Sequence, residues 1–153
     1  MHVGASAASE AFEEIIHQFR LQIAHEADFL SIGTNDLVQS TLGLDRASPS
    51  ATVAAAAHPE VLAGVRDVVR AAAAAGLTVE VCGEAGGDPH VAGLLVGLGV
   101  DELSVAPTRV DSLRATIRAL DARRAAAEAE ELISAELRDD LREVVDGRGG
   151  VIA

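Results

Sequence analysis

Cys82 is the only cysteine in a chain of 153 residues. It stands in "VEVCGEAGGDP" (residues 79–89), where a β-branched run stops and a glycine-rich turn begins. Glu84 follows two residues later, and Asp88-Pro89 has the wording of a helix start. Free backbone N–H groups at such a start attract anions. A thiol beside them is suited to passing on a proton. It is equally suited to filling a small buried space, as lone cysteines usually do. The residue by itself leaves both readings open.

A second polar cluster is "SIGTNDL" (residues 31–37). Asp36 is a hard oxygen ligand of the kind Mg²⁺ takes, and the Asn35 amide can donate a hydrogen bond to a phosphate. Arg46 comes ten residues later in "GLDR", and its planar fork matches a phosphate or carboxylate. Asn-Asp after Gly-Thr is also ordinary turn composition. The histidines form no pair at metal-ligand spacing. His17 and His25 fall on an expected helix, His2 and His90 flank helix starts, and His58 precedes a helix-starting proline as a cap or packing residue. Arg109, Arg114 and Arg118 read as a solvated helix face, as do the charges from Asp121 to Glu143.

The elements that position these residues follow from periodicity. Phe12, Ile15, Ile16, Phe19 and Ile23 have helical spacing behind Ser9 as N-cap. "FLSIG" predicts a short strand, and "GTNDL" a turn leading into a helix to about Leu42. "GLDRASPSATVAAAA" reads as a loop. "HPEVLAGVRDVVRAAAAAG" predicts a helix with Pro59 in its first turn and Gly76 as its stop. "LTVEVCG" predicts a strand, "DPHVAGLLVGLG" a short helix, "DELSVAP" a strand and "TRVDSLRATIRAL" a helix. One or two amphipathic helices are expected from Asp121 to Val145, and a frayed tail after them. Strands alternating with helices mean parallel βα units. Read as apolar runs, the strands suggest a sheet covered on both faces or the wall of a barrel. Both polar clusters fall just past the C-terminal ends of strands, the face on which parallel βα folds bind ligands.

Composition narrows the class. Aromatic residues make up only 2% of the chain, so the core must be built from Ala, Val, Leu and Ile. The basic residues are all arginine, and the net charge of −12 argues against a nucleic-acid partner. A single cysteine forms no internal disulfide. No stretch has the length of a membrane span, and the N-terminus lacks the pattern of a signal peptide. A cytoplasmic protein without membrane contact is expected.

Taken together, "FLSIGTNDLVQSTLGLDR", "HPEVL", "VCGEAGGDP" and "GLGVDELSVAPTRV" resemble the end of the phosphoenolpyruvate (PEP)-binding barrel of the PEP-utilising enzymes. The similarity runs from about Ile23 to Leu120, in order and with matching spacing. Its wording leans toward enzyme I of the sugar phosphotransferase system, the PEP–protein phosphotransferase. A pyruvate phosphate dikinase-like fragment shares "GTNDL" and the "CGE" signature and is the alternative within the enzymes. A non-catalytic, self-associating or regulatory module is the alternative outside them.

The resemblance implies an α/β fold, a partial (β/α)8 TIM barrel holding the last three βα units. Residues 1–120 would form that barrel portion, and 121–153 a C-terminal helical extension and tail. It implies Asp36 as a Mg²⁺ ligand, Asn35 and Arg46 as substrate-binding residues on the phosphoryl group, and Cys82 as the acid that protonates C3 of the pyruvate enolate. PEP and pyruvate would be the ligands, and a small phosphocarrier protein the partner of the intact parent. Three strands cannot close an eight-stranded barrel. An apolar inner face needing cover is therefore expected, and with it a homodimer. The family's second metal-ligand glutamate, its further substrate-gripping arginines and its phosphohistidine domain find no equivalent in this sequence. "CGEAGGD" stands where the family writes "CGELAGD". Complete turnover by this chain alone is not expected.

Overall fold

The computed structural model of the chain describes residues 26–44 and 53–148, with side chains described as far as residue 135. Three strands, β1 (Phe29–Gly33), β2 (Thr78–Cys82) and β3 (Glu102–Ser104), form one parallel sheet in the order β1-β2-β3. Five α-helices accompany them: α1 (Thr34–Leu42), α2 (Pro59–Ala75), α3 (Pro89–Gly97), α4 (Val110–Ala119) and α5 (Ala122–Arg148). Short 3₁₀ turns cover Val53–Ala57, Glu84–Gly87 and Pro107–Arg109. The helix expected around Phe12 to Ile23 and the position of Arg46 lie outside the described residues.

The helix ends follow local chemistry. The His58 ring accepts the Glu60 N–H at 3.3 Å in front of Pro59, and Gly76 closes α2 with φ 72°. Asp88 caps α3, its carboxylate accepting the N–H groups of His90 and Val91 at 3.0 and 3.1 Å. The one or two helices expected from Asp121 to Val145 are a single helix, Ala122–Arg148, which takes in the first three residues of the expected tail; the rest of that tail lies outside the described residues.

Strand register explains which residues face which way. Gly33 stands opposite Cys82, and Cys82 opposite Ser104. Side chains alternate across a sheet. Val79 and Val81 therefore point to one side and are buried, Val81 in one cluster with Val61, Leu62, Val65, Val91, Leu94 and Leu95 of α2 and α3. Glu80 and Cys82 share the other side with Ser31, Glu102 and Ser104.

The sheet is thus not a run of apolar strands sandwiched between layers. Its core face packs on helices, and on its second face Ser31, Thr78, Glu102 and Ser104 are exposed. The apolar inner face expected from the sequence is instead mostly polar, with Phe29, 57% exposed, as its large apolar residue. "TVEVC" already alternates, and the alternation rather than the β-branching is what burial obeys.

Helix α5 lies against α2 and α3, burying Ala125, Ala129 and Ile133. Its approach to α3 is close: a Cβ on Gly97 would stand 2.5 Å from the Ala125 carbonyl carbon and oxygen. Glu130 also meets Arg70 and Arg66 of α2, at 3.0 and 3.5 Å. Among the described residues no helix is long and apolar enough to cross a membrane.

Candidate functional site

The C-terminal ends of the three strands open onto one cavity of about 540 Å³. Asn35 follows β1, Gly83 and Glu84 follow β2, and Ser104 to Ala106 close β3. Arg109, at the end of the 3₁₀ turn after β3, also lines it. Parallel strands in sequential order bring these loops together, as the sequence pattern anticipated.

The "GTND" residues do not form a separate turn before the helix. Thr34, Asn35 and Asp36 are themselves its first turn, with Gly33 as N-cap in an extended conformation. Thr34 is 1% exposed, and its hydroxyl donates to the Cys82 carbonyl at 3.2 Å, fastening α1 to β2. Asn35 and Asp36 are exposed. The Asp36 carboxylate folds back toward Gly33, with Oδ2 3.3 Å from where a Cβ on that glycine would stand. An acidic residue is favoured there by the positive end of the helix.

Gly83 is the tightest point. Its φ of 118° and ψ of 179° lie in a region open essentially to glycine alone, and a Cβ there would meet Thr34 Oγ1 at 2.5 Å. The glycine lets the backbone after β2 pass over the start of α1 and opens the cavity between Asn35 and Glu84. Cys82 is half-buried and lies on the open face of the sheet by alternation.

The cavity wall therefore holds Asn35 itself, while Asp36 and Cys82 flank it through their lining neighbours Asn35 and Gly83. Arg46 falls outside the described residues. Glu84, which the sequence places beside Cys82 without a role, and Arg109, read there as part of a solvated helix face, both line the cavity. Glu84 is fixed by its place two residues beyond the strand end. Arg109 is exposed, as a solvated face would have it, yet it ends the 3₁₀ turn after β3 and lines the cavity.

Among the described residues no group of three or more His, Cys, Asp or Glu side chains is placed to hold a metal ion. An all-protein metal cage is therefore not built from them. A cation that keeps its waters and takes one carboxylate plus ligand phosphate oxygens asks less of the protein.

Known proteins resemble this sequence. The family described as "PEP-utilising enzyme, PEP-binding domain" matches residues 16–122. The multiphosphoryl transfer protein of Xanthomonas campestris is 39% identical over 129 residues, which cover 84% of this chain and 15% of that protein. The phosphoenolpyruvate-protein phosphotransferase of Chlamydia pneumoniae is 38% identical over 126 residues, covering 82% of this chain and 22% of its own length. That of Cupriavidus necator is 49% identical over 84 residues, 54% of this chain and 14% of the relative. The match over most of the chain settles its class: it belongs to the PEP-binding domain family of the PEP-utilising enzymes. It spans about a fifth or less of the length of most of these relatives.

Proposed function

We propose that the chain is the C-terminal PEP-binding portion of a PEP–protein phosphotransferase of the enzyme I kind, whose parent reaction moves the phosphoryl group of PEP to a protein histidine. The observation that carries this reading is the cavity at the strand ends. It brings together Asn35, Glu84 and Arg109 from the turns after three successive parallel strands, in a chain whose relatives bear that name. The layering supports a partial (β/α)8 barrel: three parallel strands in chain order, helices outside, and a polar face left open where a barrel would turn its interior. Residues 1–120 are the barrel portion in this reading, and α5 with the residues after it the extension. A second copy, or the remaining strands of a barrel, would cover the open face.

Each residue has a role in this reading. Asn35 donates to the phosphate, and Arg46 grips it with its fork. Asp36 is the residue that would hold Mg²⁺, and the chemistry such an ion supplies is neutralisation of phosphate charge. Loss of the phosphoryl group leaves the enolate of pyruvate. The S–H bond of Cys82 breaks as its proton moves to C3, giving the methyl group of pyruvate and a thiolate. A phosphocarrier protein is the onward acceptor of the intact parent, in the cytoplasm.

Isothermal titration of the chain with PEP, with and without Mg²⁺, tests the reading beside Asp36→Ala. Metal-dependent binding that the variant loses is the expected result. A folded chain that binds no PEP up to millimolar concentration overturns it and leaves the non-catalytic module, whose motifs only shape the strand ends.

A further inference from the structure

We infer that Arg109 is a positioning residue that holds an oxyanion, phosphate or carboxylate, of the ligand in the strand-end cavity. The inference rests on the proposed PEP site and adds a residue to it. Among the described residues that line the cavity, Arg109 supplies the only basic side chain. Its backbone is pinned on both sides: its N–H donates to the Ala106 carbonyl at 2.8 Å, and its carbonyl accepts the Ser112 hydroxyl at 2.9 Å. Its guanidinium, by contrast, is engaged by no carboxylate among the described residues. The ion pairs of the described residues use Arg66 and Arg70.

The carboxylates on the same wall do not claim it. Asp88 is spent on two amides at the start of α3, and Glu84 forms no ion pair with it. The stem of Arg109 lies beside Gly87, where an added Cβ would stand 3.8 Å from Arg109 Cγ. A fixed backbone, a planar fork and an amide donor at Asn35 lining the same cavity are what recognition of a small anion by more than one group needs. The position follows from the fold: the turn Pro107–Arg109 begins three residues past the end of β3 and returns the chain over the strand ends.

The test titrates the 153-residue chain, Arg109→Gln, Arg109→Lys and the control Arg114→Gln, which is exposed on α4 away from the cavity wall. The probes are PEP with Mg²⁺, inorganic phosphate and pyruvate, and an amide NMR spectrum of each variant checks its fold. The inference expects at least a tenfold loss of PEP affinity in Arg109→Gln, a smaller loss in Arg109→Lys, and a change within twofold in Arg114→Gln. A loss confined to phosphate assigns Arg109 to the phosphoryl end, and one confined to pyruvate to the carboxylate end. PEP binding that Arg109→Gln leaves unchanged overturns the inference and spares the PEP reading. Phosphate or pyruvate binding that depends on Arg109, in a chain that binds PEP no better than either, spares the inference and overturns the PEP reading. A folded chain that binds none of the three overturns both.

Discussion

The Thr34 hydroxyl donates to the Cys82 carbonyl at 3.2 Å, so the first turn of α1 is fastened to the end of the neighbouring strand. The same hydroxyl is the atom that a side chain on Gly83 would strike. Thr34, Cys82 and Gly83 therefore form one junction beneath the cavity. Gly83→Ala adds a collision to a backbone conformation that only glycine adopts readily, and a loss of roughly 2–3 kcal/mol is expected. Thr34→Ala removes the obstacle but also a buried hydrogen bond, costing about 1 kcal/mol by itself. In urea denaturation the double variant should lose less than the sum of the two single variants. Strict additivity would mean that the two residues do not meet.

The packing of α5 makes a sharper contrast between two glycines of α3. A Cβ on Gly97 would press on the backbone of Ala125 at 2.5 Å, whereas one on Gly93 would rest 3.5 Å from the end of the Leu120 side chain. Gly97→Ala is expected to push the helices apart and cost about 1–3 kcal/mol, the usual range for overpacking. Gly93→Ala should be neutral or stabilising by up to about 1 kcal/mol, through the higher helix propensity of alanine. Thermal unfolding of both variants reads the difference. Limited proteolysis should show α5 cut faster in Gly97→Ala only.

Asp101 clasps the start of β2 from both of its groups. Its carboxylate accepts the Val79 N–H at 2.9 Å, and its own N–H donates to the Val79 carbonyl at 3.0 Å. The side-chain bond supplies a partner to the amide of a strand residue that is itself buried. Asp101→Ala should cost about 1–2 kcal/mol, as a bond between a charged group and a backbone amide. Asp101→Asn, which keeps an acceptor oxygen, should recover about half of that. Chemical denaturation of the pair checks both values, and equal losses would show that the charge itself is what the amide requires.

Much of this arrangement could be read from the residues because its signals are local. Pro59 and Gly76 bracket α2, Asp88-Pro89 opens α3, and the β-branched run at 78–82 is a strand, each set by a few neighbouring side chains. Two features were not legible in that way. The register places Ser31 beside Glu80 and Glu80 beside Glu102, joining the polar positions of three strands into one open face. Single strands conceal that register. Arg109 joins the cavity because the turn after β3 folds back over the strand ends, and nothing in "APTRV" announces it. Sequence spacing located the loops that make the site. Tertiary register decided which side chains those loops present.

Cys82 offers the most discriminating prediction, because its packing and chemical roles separate cleanly. The residue is half-buried on the open face. Cys82→Ala should therefore change stability by no more than about 0.5–1 kcal/mol, within the range of partly exposed substitutions. PEP affinity should stay within twofold of the parent chain, since the thiol binds no phosphate. The proton role predicts something else. A group that protonates C3 of the enolate also removes a proton from C3 of pyruvate in the reverse direction, so the chain with Mg²⁺ should exchange pyruvate methyl hydrogens for deuterium in D₂O. Loss of a positioned general acid–base group typically costs about 10²–10⁴-fold, and Cys82→Ala should lose most of the exchange while still binding. Proton NMR of the methyl signal follows the reaction directly. Exchange that survives in Cys82→Ala would return the thiol to the role of a small packing residue, with its proton taken by another group at the strand ends.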